Sequence, residues 1–244
     1  MKLVEKLIAR SQDNRYQPPV TLAFIGDSVT QGCFEVTHIK KEGAYPIKDV
    51  HDQDAVYHQV LRQMLADLYP SVPINVINAG VSGGHAYLGL DRLERDVISH
   101  RPDLAVVCFG LNDSIGKEKT FERYQRSMDE IFRRLTEAGI ETIFMTPNMM
   151  CTEVSDSILV PEIAAIAANC ASVQNEGWLE RFLEEGKTIA AKYGVQVCDC
   201  YAKWKKLHQD GVDITEMLAN LINHPTRPMH RLFAVSLLET ILFE

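Results

Sequence analysis

Val20-Thr21-Leu22-Ala23-Phe24-Ile25-Gly26-Asp27-Ser28 decides how the rest of the chain is read. Its first six residues form a β-rich, mostly apolar run, which stops at a glycine and hands over to an acid and a serine. Apolar runs of similar character recur at 74–79, 104–109, 142–145 and 195–199. Between them lie segments of helical period at 54–69, 88–98, 121–138 and 178–193, and a last one at 230–243. Gly139 and Gly194 stand where two of these helices should stop, and Pro147 ends the fourth strand. Strands that are apolar throughout must be covered on both faces, and helices between them supply that cover. The pattern predicts an α/β chain: a three-layer α/β/α sandwich on a five-stranded parallel sheet. Residues 1–244 read as one domain, with 1–18 an N-terminal helical extension and 147–177 a candidate cap insertion.

Composition narrows the function classes. The 244 residues carry a formal charge of −8 and contain no Lys/Arg-dense run. An acidic surface repels phosphate backbones and anionic headgroups, so nucleic acid is not an expected partner. No apolar run approaches the ~20 residues of a membrane span. Met1 to Arg10 mixes Lys2, Glu5, Lys6 and Arg10 among apolar residues and reads as a short amphipathic helix, not a signal peptide. Six cysteines (Cys33, Cys108, Cys151, Cys170, Cys198 and Cys200) show no CxxC pair. They read as reduced, buried small hydrophobes in a cytoplasmic protein. Cys198-Asp199-Cys200 alternates as strand residues do.

Ligands of open parallel sheets bind beyond the carboxyl ends of the strands. Three glycine-bearing turns meet there: Gly26-Asp27-Ser28, Asn78-Ala79-Gly80-Val81-Ser82-Gly83 and Gly110-Leu111-Asn112-Asp113. Ester hydrolysis needs a nucleophile, a base and donors for the developing oxyanion. Ser28 can supply the first. The backbone N–H of Gly83, the carboxamide of Asn112 and the N–H of Ser28 can supply the donors. Of eight histidines (His38, His51, His58, His85, His100, His208, His224 and His230), His224 stands apart. Pro225 keeps it out of a helix, in a loop just before the last one. His58 and His100 fall within or at the end of helices and read as packing or surface residues.

Gly26-Asp27-Ser28-Val29-Thr30, Asn78-x-Gly80-x-Ser82-Gly83, Gly110-x-Asn112-Asp113 and His224-Pro225 together resemble the four signature blocks of SGNH (GDSL-type) serine esterases, in the family's order. That resemblance implies a flavodoxin-like fold, Ser28 as nucleophile and His224 as general base. It also implies Ser28, Gly83 and Asn112 as the oxyanion hole. The expected activity is carboxylic ester hydrolysis through an acyl-serine, on short or acetyl esters, including those of carbohydrates. A thioesterase or lysophospholipase of the same family, or a catalytically weakened binding protein, are the alternatives. The chain departs from the family pattern at one place: where an Asp should stand three residues before the histidine there is Leu221. Asn220 or a backbone carbonyl is then left to orient His224, as a Ser–His dyad, and Asp213 is the nearest upstream aspartate.

Gly80-Val81-Ser82-Gly83-Gly84 also matches the G-x-S-x-G nucleophile elbow and makes Ser82 a rival. Asp27 and Asp113 read as structural turn acids. Dinucleotide and Walker-type glycine motifs are absent, and His51-Asp52 is too isolated to read as a metal site, so no cofactor or metal is expected. Within the candidate cap, Met149 and Met150 are expected to line an adaptable acyl pocket.

Overall fold

The computed structural model describes residues 1–39 and 47–243. Helix α1 (Lys2–Gln12) buries Leu3 and Leu7, one turn apart on one face. Its first two backbone N–H groups after Met1 donate to the Glu141 carboxylate at 3.0 and 2.9 Å. Strand β1 (Val20–Gly26) leads into the one-turn helix α2 (Ser28–Gln31). Strands β2 (Cys33–Ile39) and β3 (Ile47–His51) pair antiparallel as a separate ribbon. Then come α3 (Tyr57–Leu68), β4 (Ile74–Gly80), α4 (Ala86–Asp96) and β5 (Leu104–Cys108). Next are α5 (Leu111–Ser114), α6 (Glu118–Glu137), β6 (Glu141–Met145) and α7 (Pro161–Asn175). The chain ends with α8 (Trp178–Lys192), β7 (Gln196–Cys198), α9 (Cys200–Gln209) and α10 (Arg227–Phe243).

The main sheet has the order β4-β1-β5-β6-β7 and is parallel throughout. Helices α1, α3, α9 and α10 pack together, and α4, α6 and α8 form the other layer. This is the expected three-layer sandwich, and its physical cause is visible in β5. All five β5 residues are buried, so neither face of the strand tolerates water. Chain direction of the strand order reverses beside β1, and in such sheets the crevice opens at that switch point. Gly26 pairs with Gly80 on one side and with Cys108 on the other, so β1, β4 and β5 end level. Gly80 allows the end of β4 to press on α2: a Cβ there would lie 2.2 Å from Gln31 N and 2.5 Å from Thr30 C. Backbone against backbone cannot yield, so a side chain at 80 would displace the turn that carries Ser28.

The expected strands and helices are present with ends shifted by a few residues, apart from three differences. The ribbon of β2 and β3 was not expected, because Glu35, Thr37 and Lys48 interrupt its apolar pattern. Cys198-Asp199-Cys200 is not continuous strand: Asp199 caps α9 by accepting the Ala202 N–H at 3.1 Å, and Cys200 opens that helix. Residues 161–175, inside the candidate cap insertion 147–177, form α7, which Pro161 starts at a position where no backbone donor is needed.

Candidate active site

Asp27 caps α2, its Oδ1 accepting the Val29 N–H at 3.0 Å, and this places Ser28 at the head of the turn beyond β1. The turn is held from below as well. His58 Nε2 donates to the Thr30 carbonyl at 3.1 Å, and the hydroxyls of Thr30 and Tyr57 meet at 3.0 Å. Burial lowers the His58 pKa to about 4, so this histidine packs as a neutral group, as a core residue should.

Ser28 Oγ donates to His224 Nε2 at 2.9 Å, and both residues are buried. The other ring nitrogen fixes the tautomer. His224 Nδ1 stands 3.0 Å from the Phe34 carbonyl oxygen, which can only accept. Nδ1 therefore carries the proton and Nε2 presents its lone pair to the serine, as a general base requires. Burial, the largest influence, depresses the His224 pKa, while the Phe34 carbonyl and the Asp49 charge oppose that shift and His51 adds to it.

The orienting group is thus a backbone carbonyl from β2. Asn220 does a different job: its Oδ1 accepts the N–H groups of Ile222, Asn223 and His224 at 3.0, 2.9 and 2.9 Å, and its Nδ2 donates to Asn223 Oδ1 at 3.0 Å. It folds the loop that aims the ring and does not touch the ring. Leu221, standing where the family has its acid, takes φ +59° inside this turn. Asp213 Oδ1 accepts the Thr215 and Glu216 N–H groups, capping the short 3₁₀ turn 215–217.

Phe34 is itself clamped. The Arg227 guanidinium lies 4.3 Å over its ring, and the His230 ring packs 4.8 Å from it. Arg227 forks onto Glu35 and donates from Nε to Asp52 Oδ2 at 2.7 Å. Arg227 holds both carboxyls below their usual range. These partners are partly exposed, so geometry rather than net energy is what the clamp contributes.

Gly83 and Asn112 line the same cavity as Ser28 and His224, one of about 420 Å³. Gly83 adopts φ +70°, a conformation that favours glycine and turns the backbone after β4. Asn112 Nδ2 donates to the Gly84 carbonyl at 3.0 Å and faces Asp27 Oδ2 at the long distance of 3.4 Å. A bond that long is weak and readily gives way to a stronger acceptor. Burial pushes the Asp27 carboxyl up to about 7, and the Asp113 carboxyl to about 6. Asp113 Oδ1 accepts the Ala86 N–H at 2.9 Å, tying the turn after β5 to the start of α4. Both acids serve the turns, as expected.

Ser82 donates from Oγ to Asp49 Oδ2 at 3.4 Å, and its N–H donates to Gln31 Oε1 at 2.6 Å. The expectation for Met149 and Met150 is overturned: both are buried in the core and the cavity wall is built by others. Ala165, Ile166, Asn169 and Cys170 of α7 face it, with Ile115, Val36 and Ile222. Sequence reasoning also missed Asp49, Asn169 and the Phe34 carbonyl. Only the first two have side chains that a sequence could have flagged.

A doubly wound sheet with a serine at the end of its first strand, hydrogen-bonded to a histidine from the loop before its last helix, defines a flavodoxin-like serine hydrolase. The chain belongs to the GDSL-like lipase/acylhydrolase family, whose model matches residues 24–232. Among solved structures it is similar to Axe2, an acetylxylan esterase from Geobacillus stearothermophilus, at 22% identity and TM-score 0.66, covering 92% of this chain and 95% of that one. A two-domain esterase active on acetylated mannans matches at 16% identity and TM-score 0.65, over 98% of this chain and 52% of that one. Comparison with curated proteins finds no match. The chain is an ester hydrolase of this family.

Proposed function

We propose that this enzyme removes acetyl groups from carbohydrate esters, with Ser28 as nucleophile and His224 as its base. The observation that carries the roles is the 2.9 Å bond from Ser28 Oγ to His224 Nε2, with the Nδ1 proton held by Phe34. Ser28 Oγ attacks the acyl carbon and its proton passes to Nε2. Negative charge develops on the former carbonyl oxygen, where the N–H groups of Ser28, Gly83 and Asn112 receive it. His224 then returns the proton to the leaving sugar hydroxyl, leaving acyl-Ser28. Water repeats the sequence in reverse roles and releases acetate.

The substrate class rests on the cavity wall. Asn169 and Asn223 offer carboxamide groups, the partners that sugar hydroxyls require, interleaved with small apolar patches. The esterase neighbours named for acetylxylan and acetylated mannans support the same class. We also propose that α7 acts as a cap on this cavity, and that the protein resides in a reducing compartment, the cytoplasm. All six thiols are free and buried, which supports the latter.

A panel of p-nitrophenyl esters of increasing chain length, beside acetylated xylo- and manno-oligosaccharides, tests the substrate class. Acetyl should exceed hexanoyl in kcat/KM by at least about tenfold, since methylenes are discriminated by walls of this kind. Equal rates for long acyl chains, or no release of acetate from any sugar, would overturn it.

A further inference from the structure

Cys33 and His51 stand directly opposite each other where β2 and β3 pair, and Asp49 lies two residues before His51, on the same side of β3. The Cys33 Sγ to His51 Nδ1 distance is 3.5 Å. One ligand atom from each of Cys33, Asp49 and His51 falls within 4.8 Å of the others, the one such group of three among the described residues. We propose that these three residues form a binding site for a divalent cation of the zinc class, which ties β2 to β3 beside the active site.

The ligand set and its dimensions both point there. In a tetrahedral site with sulfur at ~2.3 Å and nitrogen at ~2.0 Å from zinc, the sulfur-to-nitrogen edge is about 3.5 Å. The Cys33–His51 pair already has that span. Asp49 is half-buried, with a carboxylate oxygen inside the same 4.8 Å group. Sulfur with imidazole and one carboxylate selects Zn²⁺ or Co²⁺ and disfavours Mg²⁺ and Ca²⁺, which want oxygen ligands throughout.

Outer support is present as well. The Ser82 hydroxyl donates to Asp49 Oδ2 at 3.4 Å and also faces the Cys33 sulfur. The Asp52 N–H closes the ribbon end on the Gly32 carbonyl at 3.0 Å. His51 is exposed and gives the cation a way in, and water takes the fourth position. On binding, the Cys33 thiol releases its proton to solvent and the thiolate takes the cation. Cys33 immediately precedes Phe34, so the cation would pin the strand that presents its carbonyl to His224.

Neither Cys33 nor His51 touches the Ser28–His224 bond, and the test does not depend on the substrate. Co²⁺ is titrated into the full chain while the thiolate-to-cobalt charge-transfer absorption is followed. One saturable site per chain is expected, reversed by Zn²⁺. With Zn²⁺ at about a hundredfold over Kd, Tm should rise by roughly 5–10 °C. Cys33→Ser should abolish the absorption. His51→Ala, a surface change that leaves the core intact, and Asp49→Asn should each weaken Co²⁺ binding at least tenfold, as even supporting residues of metal sites do. No thiolate absorption in the unaltered protein, absorption that survives Cys33→Ser, or unchanged affinity in His51→Ala would each overturn the site.

Discussion

Asn220→Ala removes the acceptor on which the His224 loop is built. Three backbone N–H groups converge on Asn220 Oδ1 at 2.9–3.0 Å, and two of their residues, Ile222 and His224, are buried. At about 1 kcal/mol net for each bond, and more where a buried donor is left unmet, the loss is about 3 kcal/mol. For a chain of this size that corresponds to roughly 6–12 °C in Tm. The same change frees the His224 backbone, and a displacement of about 1 Å at a catalytic group can cost 10²-fold in rate. Asn220→Asp keeps the acceptor and serves as the control. Its stability should fall by only about 1 kcal/mol, because the three N–H bonds survive and only the Nδ2 donation to Asn223 is lost. It should not raise turnover either, since Oδ1 is already committed to the backbone and His224 Nδ1 to Phe34. Denaturant melts with kcat for p-nitrophenyl acetate read both effects. A loss below 1 kcal/mol in Asn220→Ala, or a tenfold gain in Asn220→Asp, would refute the reading of Asn220 as the builder of the loop and Phe34 as the orienter.

Two further outcomes follow from the site. Burial lowers the His224 pKa, so the neutral ring that the proposed base role needs persists to lower pH than in an ordinary histidine. The acidic limb of kcat/KM should therefore fall below about 6.5, and because the unfolded chain binds this proton more readily, the residue's contribution to stability is lost as pH drops below that value. A limb at or above 7 in a pH–rate profile counts against it. Asn112→Ala should lower kcat by about 10²–10³ with KM little changed, because the lost donor acts on the oxyanion and not on the ground state. An effect confined to KM contradicts that role.

The sheet is legible in the sequence because each strand is an apolar run closed by glycine, proline or a polar turn, and burial on both faces leaves that pattern intact. The pairing of Ser28 with His224 is legible only through the company of four short motifs, since 196 residues separate the two. What orients His224 is not legible. A carbonyl has no side-chain signature, and Phe34 reaches the ring through a ribbon whose strands carry Glu35 and Lys48 among their apolar residues. The same ribbon brings Cys33 opposite His51, a pairing that no local spacing reveals. Met149 and Met150 read as pocket residues because they sit in an irregular stretch, yet that stretch returns them to the core, and α7 behind it supplies the wall instead.

A fluorophosphonate probe reacts quickly only with a serine whose hydroxyl is activated by a base, and mass spectrometry of the labelled protein locates the adduct. One adduct per chain is expected, on the peptide that carries Ser28. An adduct on Ser82 instead, or an unlabelled protein that still hydrolyses p-nitrophenyl acetate, would contradict Ser28 as the nucleophile.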